Sequence, residues 1–114
     1  MDEYNLVKSR YAADWNLAES GSWGLMKTAT GKVFIAKGVP CDKVRSVMVH
    51  EYTHVLQWRL YGSSLVSDLE SHGGAEEIAD CGARMLGATW THYVQTCTAE
   101  QTRSADAILR GVRP

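Results

Sequence analysis

Between Lys43 and Tyr61 the chain reads KVRSVMVHEYTHVLQWRLY, a stretch without glycine or proline. Apolar residues recur at Val44, Val47, Met48, Val55 and Trp58, the spacing of one helical face. Gly62 supplies the stop. Upstream, Gly38-Val39-Pro40 breaks the preceding segment, and Asp42 is placed to cap the helix. Within the helix lies His50-Glu51-Tyr52-Thr53-His54. Two imidazoles at i and i+4 sit one turn apart on the same face, so both can reach a single metal ion. Glu51 lies beside them, close enough to hold a metal-bound water without ligating. Imidazole nitrogen suits zinc, which brings the pKa of its water near neutrality. Glu51 can then take that water's proton as it attacks a carbonyl, and pass it to a leaving amine.

A catalytic zinc needs a third protein ligand and an open fourth position. A close-spaced third ligand would require glycine at 57 and histidine at 60, where this chain has Gln57 and Leu60. The alternative is an acid from the next helix, and Ala75-Glu76-Glu77-Ile78-Ala79-Asp80 supplies it. Glu76 and Asp80 are i and i+4, hence on one face. One carboxylate can bind zinc while the other accepts a hydrogen bond from a ligating imidazole. Glu77 points about 100° away.

With 21 residues between His54 and Glu76, the pair of motifs resembles the gluzincin (thermolysin-like) metallopeptidases. The resemblance covers Val33 to Gly87, roughly half the chain. It implies His50, His54 and Glu76 as zinc ligands, Glu51 as general base and acid, and Asp80 as the carboxylate orienting His50. It also implies an edge strand above the metal that pairs with extended substrate, for which Val33, Phe34, Ile35, Ala36 and Lys37 are the match. The chain has no room for a second lobe, so the oxyanion-stabilising group must come from elsewhere; Tyr93, His92, Tyr61 and Arg84 are the candidates. The stretch from Pro40 to Gln57 is similar, more loosely, to peptidase domains in endolysins of phages infecting actinobacteria.

The remaining sequence bounds these expectations. Its 114 residues allow one domain, 1–114. A formal charge of −1 gives no field drawing it to nucleic acid or an anionic membrane. No apolar run approaches the ~20 residues that span a bilayer. Met1-Asp2-Glu3-Tyr4 lacks a signal-peptide layout, so the expectation is a cytoplasmic chain, or a phage-lysin domain acting on the cell wall. The fold expected is α+β and zincin-like. A short helix or extended arm over Tyr4 to Tyr11 leads it. Trp23–Met26 and Val33–Ala36 flank a turn at Thr30-Gly31-Lys32, as an antiparallel hairpin. After the active-site helix come a polar loop (62–72), a helix over Ala75–Leu86, a segment at Thr89–Thr96 ambiguous between helix and strand, and a helix over Ala99–Leu109.

Among Cys41, Cys81 and Cys97, any disulfide involves Cys81 first, with no partner chosen. His72 reads as a solvated loop residue. Trp15, Trp23, Trp58 and Trp90 read as core and hairpin packing, and Arg103, Arg110 and Arg113 as a solvated face. The activity expected is zinc-dependent hydrolysis of a peptide bond by a monomer. The substrate would be a cell-wall cross-bridge peptide or, alternatively, an intracellular repressor. A different class is a metal-holding binding module without efficient catalysis.

Overall fold

The computed structural model describes residues 2–114. An N-terminal helix, α1 (Asp2–Arg10), is followed by three short strands, β1 (Trp15–Ala18), β2 (Gly24–Met26) and β3 (Val33–Ala36). A 3-10 turn (Cys41–Lys43) leads into the long helix α2 (Val44–Tyr61). Then come α3 (Leu65–Leu69) between two further 3-10 turns, α4 (Ala75–Met85) and α5 (Ala99–Leu109). The architecture is α+β, with helices packed around α2 and a small mixed sheet on one side.

The expected hairpin is present: β2 and β3 pair antiparallel, with Leu25 opposite Phe34. Its turn is closed by Gly31 N–H donating to the Lys27 carbonyl at 2.7 Å. The sheet as a whole departs from expectation. β1 pairs with β3 in parallel, Trp15 opposite Val33, so the strand order is β1-β3-β2. β3 is therefore the central strand, and the expectation that Val33 to Lys37 form a substrate-pairing edge is corrected. Val33 and Ile35 are fully buried, and the backbone of β3 is engaged on both sides. The edge beside α2 is β2.

Helix α2 is the spine of the molecule. It packs on α1, α3, α4 and α5 and on strands β2 and β3, and buries Val44, Val47, Met48, Val49 and Val55. It ends at Gly62, whose φ of 67° lies in the left-handed region that glycine adopts without penalty. Its start differs from expectation: Asp42 sits inside the 3-10 turn and makes no cap bond. It forms an ion pair of 3.4 Å with Lys43 instead. The supposed polar loop over 62–72 is largely helical, because Leu65 and Leu69, one turn apart, are both buried. Residues 89–96 form neither helix nor strand.

Two features bring α4 against the face of α2 that carries His50 and His54. Gly82 lies on Thr53, where an added Cβ would come within 2.7 Å of the threonine methyl. The turn before α4 is held by α5, through Ser104 Oγ donating to the His72 carbonyl (2.7 Å) and Gln101 Nε2 to the Gly73 carbonyl (3.2 Å). Thr98 and Gln101 form a reciprocal capping box at the start of α5.

Cys81 and Cys97 are joined in a disulfide across 16 residues, and Cys41 is a free, exposed thiol. The bond ties the end of the irregular segment to α4. Reduction is expected to cost roughly 3 kcal/mol through loop entropy in the unfolded chain. That loss is read as a lower urea midpoint with reductant; an unshifted midpoint would contradict it.

Candidate metal centre

Helical periodicity places His50 and His54 on the face of α2 turned to α4, their rings edge-to-face with centroids 4.8 Å apart. His50, Glu51 and His54 each bring one ligand atom within 4.8 Å of the others, a cluster that can hold a metal ion. From α4, Glu76 Oε1 meets the Nε2 atoms of both rings, 3.2 Å from His50 and closer still to His54. One turn on, Asp80 Oδ1 pairs with His50 Nδ1 at 2.7 Å. Its other oxygen accepts from the Tyr93 and Val94 backbone N–H groups. Glu77 does not line the cleft.

On His54, Nδ1 faces Gln57 Oε1 at 2.7 Å, and Gln57 Nε2 donates to the Ala75 carbonyl at 3.0 Å. In the sequence, Gln57 stands out only because the position is not glycine. Its position three residues after His54, on the same helical face, is the signal that points to this contact.

These contacts provide a chemical test of whether a metal fits. A neutral imidazole has one N–H, yet all four ring nitrogens here face oxygen acceptors. With neutral rings and the Nδ1 hydrogens given to Asp80 and Gln57, both Nε2 lone pairs face a carboxylate oxygen, a conflict that either a second ring proton, as the raised His50 pKa shows, or a cation relieves. A cation at that point satisfies all three atoms, and two imidazoles plus one carboxylate form a donor set that divalent transition metals accept.

The ionisation of the site follows from the same contacts. Burial disfavours charge on His50, but hydrogen bonds to Asp80 and Glu76 outweigh it and push its pKa up to about 10. Burial likewise opposes ionisation of Glu76 and Asp80. The His50 and His54 contacts nonetheless hold Glu76 well below the usual carboxylate range, and the His50 and backbone N–H contacts lower Asp80. Glu51 is 6% exposed, and burial raises its pKa against the pull of the two histidines.

A cleft of ≈ 610 Å³ opens over these residues, walled on one side by β2 and on the other by the 90–93 segment. That segment is fixed from several sides. Ser46 Oγ accepts from the Thr89 and Trp90 N–H groups, and Arg84 donates to Thr91 Oγ1 and the Val94 carbonyl. Tyr93 stacks on the His50 ring, 18° from parallel at 5.7 Å. Burial and the neighbouring Glu76 push its phenol up to about 12. His92 packs edge-on against Tyr93 at 4.7 Å. Of the four oxyanion candidates, only Tyr93 and His92 line the cleft. Arg84 buttresses the loop behind them, and Tyr61 lies under Arg113 at the far end of α2. His72 is also outside the cleft.

Two of the tryptophans read as packing residues belong to the cleft. Trp23 and Trp90 meet across it with ring centroids 5.5 Å apart, whereas Trp15 is buried and Trp58 lies under the Gly31 turn. Gly24 sets the fit between β2 and the helix, since a Cβ there would lie 2.8 Å from both Glu51 Oε2 and Val47 Cγ1. Gly24→Ala is therefore expected to displace Glu51 and cost about 1–3 kcal/mol by overpacking. Thermal melts check this; an unchanged midpoint would show that β2 is free to move away. Comparison with protein-family models, with curated proteins and with solved structures finds no match to this chain.

Proposed function

We propose that the protein is a zinc-dependent metallopeptidase of the gluzincin kind, hydrolysing peptide bonds in the cleft between β2 and the 90–93 segment. The observation that carries this reading is the convergence of His50 Nε2, His54 Nε2 and Glu76 Oε1 on one point beside buried Glu51. His50, His54 and Glu76 would hold the ion. Zinc there supplies a Lewis acid for a carbonyl and makes water acidic enough to lose a proton near neutral pH.

The chain's own residues do the rest. Glu51 accepts the proton of the attacking water and returns it to the leaving amine. Asp80 holds His50 through Nδ1, leaving Nε2 for the metal. Tyr93, half-exposed and stacked on His50 with its hydroxyl at Glu76, would supply the phenol that meets the developing oxyanion. The free edge of β2 is suited to an extended peptide, which would add to the sheet by main-chain hydrogen bonds.

Between the two peptide sources, the Cys81–Cys97 disulfide favours an oxidising setting. Cell-wall cross-bridge peptides are accordingly the first substrates to test. The deciding experiment is zinc per chain on protein purified without added metal, followed by cleavage assays on stem peptides and a general peptide library. One zinc per chain with cleavage supports the proposal. Zinc without cleavage would favour a metal-holding binding module, and no zinc even after addition would overturn both.

A further inference from the structure

We propose that Gln57 is a positioning residue: it determines which nitrogen of His54 carries hydrogen and locks that choice to the start of α4. The Gln57 side chain is fully buried, at 0% exposure, so its amide must satisfy its hydrogen bonds within the protein. The Ala75 carbonyl can only accept, which obliges the amide nitrogen to face it at 3.0 Å. The amide oxygen is thereby turned to His54 Nδ1 at 2.7 Å. That oxygen also can only accept, so Nδ1 bears the hydrogen. Nε2, on the opposite side of the ring, is left to point at Glu76.

A backbone carbonyl on one helix thus dictates the tautomer of a histidine on another. Ala75 is the first residue of α4 and the immediate neighbour of Glu76, so the same amide also fixes where that carboxylate approaches the ring. The two histidines are held by different chemistry. His50 is oriented by an ionised carboxylate and His54 by a neutral amide, which orients without adding charge. Glutamine meets both demands at position 57. Glutamate keeps the acceptor toward His54 but sets a second acceptor against Ala75, and leucine supplies neither.

The consequence for zinc rests on the function proposed above, but the tautomer does not. Long-range ¹H–¹⁵N NMR on the metal-free full chain, at a pH where the His54 ring is neutral, reads its tautomer directly, and the expected result is hydrogen on Nδ1. Hydrogen on Nε2 alone overturns the proposal, and this measurement needs no variant to fold. Zinc affinity by chelator competition is expected to fall about 10–100-fold in Gln57→Leu and by clearly less in Gln57→Glu, which keeps the acceptor toward His54 and loses only the link to Ala75. Equal losses in both, with the His54 tautomer unchanged, would reduce Gln57 to packing and also overturn it. If zinc binds none of the three proteins, the metallopeptidase reading fails, and the tautomer result alone decides the role of Gln57.

Discussion

Glu51→Gln is expected to lower kcat for peptide hydrolysis by about 10²–10⁴-fold, the usual contribution of a positioned general acid–base, while one zinc per chain remains bound. The amide is nearly isosteric and keeps its place against Gly24 and Val47, so the fold has no reason to change. What disappears is the ability to take a proton. Steady-state kinetics beside elemental analysis separate the possibilities. If turnover survives, the proton goes elsewhere and the assigned mechanism is wrong. If zinc is lost with turnover, Glu51 is a ligand, and the division of labour between Glu51 and Glu76 must be reversed. The same pair of measurements on Glu76→Ala is expected to show a sharp loss of metal affinity.

Chelation is expected to produce the largest change in stability. The ligand atoms come from α2 and α4, which meet only in the folded chain, so an ion bound there favours the folded state alone. Free zinc at a thousand times Kd adds about 4 kcal/mol. For a domain near this size, that corresponds to a Tm shift on the order of 15–30 °C. Differential scanning calorimetry with and without chelator, with the disulfide left intact, measures it. Glu76→Ala should shrink the shift, whereas Glu51→Gln should preserve it. A wild-type Tm indifferent to chelator would mean that the two helices are not bridged by metal.

Much of this molecule was legible in local sequence. The extents of α2, α4 and α5 follow from apolar periodicity and from Gly62 and Gly87, because a helix is specified by residues within one or two turns of each other. The His50-Glu51-x-x-His54 cluster was equally legible, since i and i+4 fix its geometry before any tertiary contact forms. The contact of Asp80 with His50 was expected from the i, i+4 placement of Glu76 and Asp80 together with the gluzincin resemblance, and the structure has it.

Other features depend on which distant residues meet. The hairpin between β2 and β3 is a local event, but β1 joins β3 in parallel from the other side, and that long-range pairing moved the edge from β3 to β2. The partner of Cys81 depended on how α5 docks against α4. Trp23 and Trp90, packing residues by composition, became the walls of a cleft because β2 and the 90–93 segment face each other across α2. Gln57 shows the division most sharply. Its place on the helix was readable, but its role required the Ala75 carbonyl, a backbone acceptor 18 residues away that side-chain patterns do not encode. Periodicity tells which face a residue occupies; only the packed structure decides what that face meets.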